Sequence, residues 1–157
     1  MRVLVISPES CGSKLVAKIV AHVLGIKKYG DWFGGGKVFT EKDEVYHVSL
    51  PRTKKREFVD IKPLVSWSTH IVVTTRDHNI SADSKCQYCE TIEQAIQENE
   101  IAKSMLEPIL QYRKTFVFSY ETFIYYRLTY LKLLYRFLGV ESSFIPSLHN
   151  GNRKYLR

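Results

Sequence analysis

A three-layer α/β/α fold around a mainly parallel sheet is predicted by three observations. Short apolar, β-branched runs alternate with longer runs of helical periodicity along the whole chain, and strands alternating with helices give parallel sheets covered on both faces. The first apolar run feeds a tight loop and then a helix, the order of a phosphate-binding strand–loop–helix unit. The 157 residues carry no repeat, low-complexity tract or linker, so one domain over 1–157 is expected.

The elements follow in order. "RVLVI", from Arg2, is a continuous apolar run of the kind buried on both faces of a parallel sheet. "KLVAKIVAHVLG" sets Leu15, Val16, Ile19, Val20, Val23 and Leu24 at helical spacing, and Gly25 closes it. "YGDWFGGG", residues 29–36, reads as a flexible loop with aromatics. "EVYHVSL" is a second strand, ended by Pro51, and "EFVDIKPLVSW" a short, broken helical stretch. "THIVVTT" is a third strand. Residues 79–113 read as mostly helical, in one helix or two, and "KTFVFSY" as a fourth strand. "ETFIYYRLTYLKLLYRFLGV" is a long amphipathic helix whose Tyr125, Tyr126, Tyr130, Tyr135 and Phe137 suit core and interface. Trp67 reads as packing, and the tail as irregular and basic. Ligands of such sheets bind beyond the carboxyl ends of the strands, so the loops after Ile6, Ser49 and Thr75 are the ones to examine.

Composition narrows the class. Hydrophobic residues are 45% and charged residues 25%, a soluble globular balance. No run is long enough to cross a membrane, and the first residues lack a small-residue cleavage site, so a cytoplasmic protein is expected. A net charge of +7 and a pI of about 9.3 favour anionic partners: nucleic acid, a nucleotide or an acidic glycan. "RTKKR", Arg52 to Arg56, is the densest cluster and reads as a solvated loop. No helix-turn-helix or zinc module is present, so nucleic acid is not the expected partner. Cys86 and Cys89, in "CQYC", form half of a zinc site whose second half is missing. No metal is expected, and the pair reads as two small residues on a helix.

The first loop half-matches the motif G-x-x-x-x-G-K-[ST] over Ser7 to Lys14. Gly12 takes the second glycine, Ser7 replaces the first, and Ser13 and Lys14 stand in inverted order. Backbone N–H groups at a helix N-terminus attract an anion, Gly12 permits close approach, Ser10 and Ser13 offer hydroxyls, and Lys14 adds charge. The competing reading is a helix capped by Ser10 or Ser13 with no ligand. Glu9 opposes an anion unless its side chain points away.

The third strand ends in Arg76 and Asp77, and Ser84 follows Arg76 by eight residues. This resembles the second nucleotide-binding motif of the sulfotransferase family, in which an Arg and a Ser so spaced bind the 3′-phosphate of the donor, 3′-phosphoadenosine 5′-phosphosulfate (PAPS). "PESCGSK" is similar to that family's 5′-phosphosulfate loop, P-[KR]-S-G-[ST]. Aligned on Gly12, Ser10 takes the basic position and Cys11 the Ser position. With Cys11 as an insertion, Glu9 falls where a cation is expected. "VYHVSLPR", "FSYETF" with "FLGV", and "NGNRKYLR" resemble further family elements in the right order, so the resemblance covers nearly the whole chain.

The resemblance implies a P-loop-type fold and a PAPS-dependent sulfotransferase. PAPS is the implied co-substrate, and no metal is required. The acceptor is a hydroxyl on a carbohydrate (glycan) or small metabolite. Ser10, Cys11, Gly12, Ser13 and Lys14 are implied to hold the 5′ end, and Arg76 and Ser84, with Asn152, Arg153 and Lys154 folding back, the 3′-phosphate. Lys14 stabilises the leaving group. His47 is the candidate base, a leaving-group stabiliser or a structural residue, because the family's catalytic His falls on Ser49 and its Lys on His47. Glu44 is a second candidate base. Trp32 and Phe33 are candidates to line an acceptor or adenine pocket. The alternatives are a P-loop kinase of a small metabolite or nucleotide, with Asp77 as metal ligand, and a non-catalytic nucleotide-binding protein. Against a plain salt bridge from Arg76 to Asp77, the planar guanidinium fork suits phosphate oxygens.

Overall fold

A computed structural model describes residues 1–27, 29–31, 42–52, 57–87, 89, 91–112, 114–147 and 150–152. Five parallel strands lie in the order β2-β3-β1-β4-β5: β1 Arg2–Pro8, β2 Gly30–Asp31, β3 Glu44–Leu50, β4 His70–Thr75 and β5 Thr115–Ser119. The helices are α1 Ser13–Val23, α2 Lys62–Trp67, α3 His78–Lys85, α4 Ile92–Leu110 and α5 Tyr120–Phe137. The α/β class and the parallel sheet are as the alternating pattern predicts.

The continuous apolar run of β1 is explained by its central place. Val3 and Val5 face α1 and α5, where they pack with Val16, Val20, Phe123 and Leu134. Leu4 and Ile6 face α2 and α4 among Leu64, Trp67, Ala102 and Leu106. Each such side chain contributes roughly 1.5–3 kcal/mol when fully buried, so both helical layers are held by a strand with no polar face. Trp67 is buried against Tyr46, as its packing role requires.

Two details depart from the expected elements, and one open choice is settled. Gly30–Asp31, read as part of a loop, pairs with Tyr46 and His47 as a fifth strand. The helical stretch after β4 is two helices, α3 ending at Lys85 and α4 starting after Thr91, whose side chain caps it by accepting from the Gln94 N–H. The last helix is broken at Arg127 (φ 39°, ψ −113°), with neither Pro nor Gly at the break. Beyond it, the Tyr130 hydroxyl accepts from the Ser119 N–H at 2.8 Å and donates to the Val117 carbonyl at 3.2 Å. Tyr135 is buried, whereas Tyr125 and Tyr126 are exposed.

Candidate functional site

The loop after β1 is shaped by two residues in the left-handed region, Ser10 (φ 65°) and Gly12 (φ 81°). The Glu9 N–H donates to the Leu50 carbonyl at 3.1 Å, tying the loop to the end of β3. Gly12 then starts α1, and no side chain caps that helix. The Ser cap of the competing reading does not form. Ser10 turns its carbonyl to Arg76, and the Ser13 hydroxyl meets His47. Among the described residues, the N–H groups of Cys11, Gly12, Ser13 and Lys14 have no acceptor, which leaves a concave donor set at the positive end of a helix. Burial pushes the Cys11 thiol up to about 12, so Cys11 contributes backbone, not a nucleophile. Lys14 is exposed on the first turn.

Gly12 has a second duty. The Tyr120 ring fills the space where a side chain would stand, so that a Cβ there would lie 2.8 Å from Cδ2. Tyr120, at the start of α5, also lies under the Arg76 guanidinium (5.2 Å to the ring centre) and accepts the Gly151 N–H at 3.3 Å. Nothing in the sequence marked Tyr120 as a site residue.

Arg76 joins three parts of the chain. Its Nη1 donates to the Ser10 carbonyl and its Nε to Asn152 Oδ1, both at 2.8 Å. Asn152 Nδ2 in turn donates to Glu121. Asn152 therefore lies against Arg76, whereas Arg153 and Lys154 lie outside the described residues. Asp77 does not pair with Arg76. Its carboxylate caps α3 by accepting the Ile80 N–H through Oδ1. Ser84 is half-buried on α3, and among the described residues no hydrogen bond joins it to Arg76. The α3 hydroxyl that is engaged is Ser81, which donates to the His78 carbonyl and accepts from Asn99.

His47 sits mid-strand in β3, 4% exposed, under the amino end of α1. Its Nδ1 is 2.8 Å from Asp31 Oδ1 and its Nε2 2.8 Å from Ser13 Oγ, with Ser49 Oγ at 3.4 Å. The carboxylate takes the Nδ1–H, so Nε2 is the lone-pair nitrogen and the Ser13 hydroxyl donates to it. Burial lowers the His47 pKa. Asp31 opposes that through its hydrogen bond and charge, Lys14 adds to the lowering, and the net direction is down. Folded protein thus holds His47 neutral, while the unfolded chain takes the proton near pH 6.5. The stabilising contribution is present above about pH 6.5 and is lost as pH falls through the lower folded value. Urea midpoints are expected to fall below about pH 6.5, with a smaller fall in His47→Gln. Asp31 was not identified from sequence, because "YGDWFGGG" reads as a loop. Glu44 stands at the amino end of β3, opposite Arg2 in register, and so lies at the far end of the sheet from these loops. Trp32 and Phe33 fall outside the described residues.

Glu9, which stood against an anion site, is answered by Lys85. That ammonium is 1% exposed, 3.6 Å from Glu9 and 2.7 Å from Glu98. Arg52 adds a 3.2 Å pair to Glu98 and lies over Phe58. It is thus held in an ion network while 36% of its side chain stays exposed; residues 53–56 of its basic run fall outside the described ones. Burial pushes Glu98 up, but Lys85 and Arg52 outweigh it and hold its carboxyl below the usual range. Lys85→Met is expected to destabilise the protein by about 2–3 kcal/mol, less than for a fully dry pair because both carboxylates keep some water. Urea unfolding would read it. Cys86 ends α3 and Cys89 lies beyond it, so the pair does not share a helix face. Among the described residues, no three His, Cys, Asp or Glu side chains gather to share a metal ion. No helix there is long and apolar enough to cross a membrane.

No protein-family model matches the chain, and no curated protein matches its sequence. Among solved structures it is similar to a mouse sulfotransferase, SULT7A1, crystallised with PAP: 14% identity and a TM-score of 0.56 over 89% of this chain. The chain spans 58% of the length of that protein. The likeness establishes that the P-loop-type α/β/α fold is shared with a sulfotransferase.

Proposed function

We propose that the chain binds PAPS and transfers its sulfuryl group to a hydroxyl acceptor. The observation that carries this reading is the hydrogen bond from Arg76 to the Ser10 carbonyl. It couples a cation at the end of β4 to the loop at the end of β1, so that two anion-attracting elements lie side by side. A ligand with a single phosphate needs only the loop. A nucleotide with a 5′-phosphosulfate and a 3′-phosphate uses both.

In this reading the amides of Cys11 to Lys14 receive the 5′ end and Lys14 offsets charge on the departing phosphate. Arg76 and Asn152 hold the 3′-phosphate, with Ser84, Arg153 and Lys154 as further ligands. The acceptor oxygen bonds to sulfur as the sulfur–oxygen bond to the phosphate breaks, and PAP leaves with the electron pair. The Ser13 hydroxyl turns to the bound anion and frees His47 Nε2, which takes the acceptor's proton. Asp31 keeps Nδ1 protonated and holds the ring in place. Positioning and charge stabilisation supply the rate, as in phosphoryl transfer. The likeness to a PAP-bound sulfotransferase supports the reading at the level of fold.

Calorimetric titration with PAP, with ATP plus magnesium and with AMP tests it. PAP is expected to bind preferentially, and Arg76→Ala to weaken it about 10- to 100-fold, the worth of charge-assisted hydrogen bonds. Preferential binding of ATP would replace this reading with the kinase, and binding of none would overturn both.

A further inference from the structure

We propose that Glu121, acting through Asn152, is the positioning residue that sets a preference for nucleotides carrying a 3′-phosphate. This role rests on the PAPS-binding reading and adds to it a residue that would touch no ligand. Glu121 stands half-buried on the first turn of α5. Its Oε1 accepts two hydrogen bonds, each of 3.1 Å. One comes from the Asp77 N–H, the backbone group directly after Arg76. The other comes from Asn152 Nδ2. Asn152 is 7% exposed, and its Oδ1 accepts from Arg76 Nε at 2.8 Å. One carboxylate oxygen thus acts on Arg76 from two sides, on its backbone through Asp77 and on its guanidinium through Asn152.

Chemistry fixes the direction of this chain. A guanidinium only donates, and an ionised carboxylate only accepts. An amide between them has one favourable orientation, with its nitrogen toward Glu121 and its oxygen toward Arg76. Turned over, Asn152 would set N–H against N–H. The Arg76 fork is held by Asn152 on Nε and by the Ser10 carbonyl on Nη1. Ser10 belongs to the first loop, and Asn152 to the turn at residues 150–152, so the angle of the fork over the loop depends on both. Bidentate contact with a phosphate is sensitive to that angle. Charge alone predicts the opposite effect of losing Glu121. A carboxylate beside an anion site repels the anion, so its removal would tighten phosphate binding. Position and charge therefore give opposite signs for the same substitution.

Calorimetry with PAP and with AMP, which lacks only the 3′-phosphate, tests this on the unchanged protein and its variants. Glu121→Gln keeps an oxygen for both N–H donors and drops the charge, so its preference for PAP is expected to hold or rise. Glu121→Ala is expected to weaken PAP about tenfold, the worth of one charge-assisted hydrogen bond, with AMP affinity unchanged. The double variant Glu121→Ala with Asn152→Ala is expected to lose no more than Asn152→Ala alone, because the first residue acts through the second. Should Glu121→Ala fail to fold, Asn152→Ala, outside the strands and helices, carries the test. Undiminished or tighter PAP binding in Glu121→Ala, or undiminished PAP preference in Asn152→Ala, overturns the proposal and leaves the nucleotide reading standing. Equal loss of PAP and AMP affinity in Glu121→Ala makes Glu121 structural and overturns it too. An unchanged protein that does not prefer PAP to AMP overturns the nucleotide reading itself, and this role with it.

Discussion

His47→Gln is expected to lower turnover about 10²- to 10⁴-fold, the usual worth of a positioned base, while PAP affinity stays near that of the unchanged protein. The glutamine side chain keeps a polar partner near Ser13 and Asp31 in a site that is 4% exposed, so folding should survive. It has no basic nitrogen to take a proton. The measurement is PAP release from PAPS with a panel of sugar and phenol acceptors, next to PAP calorimetry. In the unchanged protein the rate should rise with pH through the depressed His47 value and then level off, because burial favours the neutral ring. Equal loss of rate and of PAP affinity would make His47 a binding residue instead of the base.

Gly12→Ala is expected to abolish PAP binding and to destabilise the fold by about 2–5 kcal/mol. Two costs add. A φ of 81° is left-handed, worth roughly 1–2 kcal/mol against any residue with a Cβ. The new methyl would also stand 2.8 Å from Tyr120, and overpacking of this kind costs about 1–3 kcal/mol. Tyr120 is 6% exposed and is held between Arg76 and Gly151, so it cannot yield without shifting the cation it supports. Thermal melting and PAP calorimetry on the same variant separate the two effects. Retained PAP affinity would mean that the tight fit of Tyr120 on the loop is structural only.

The architecture was legible because it rests on periodicity. Val3, Leu4, Val5 and Ile6 announce a strand buried on both faces, and the residues from Leu15 to Leu24 announce one helical stripe. The cradle was legible from Gly12 and its place between strand and helix. What escaped was what only distant pairing creates. Asp31 lies in a two-residue strand among glycines, and only its register with His47 reveals its chemistry. Lys85 meets Glu9 across 76 residues of chain. Tyr120 carries no local sign that its ring packs on Gly12. The break at Arg127 has no Pro or Gly to foretell it.

That hydroxyl has a consequence for the solution behaviour of the molecule. β5 is the last strand of the sheet, and the Val117 carbonyl and Ser119 N–H point away from β4. An open edge of this kind is a template on which another chain can add a strand. Tyr130 accepts from Ser119 and donates to Val117, and so bridges the two groups as a neighbouring strand would. The kinked helix thereby shields its own sheet from edge-to-edge aggregation, at the flank where the half-exposed Val117 would otherwise invite it.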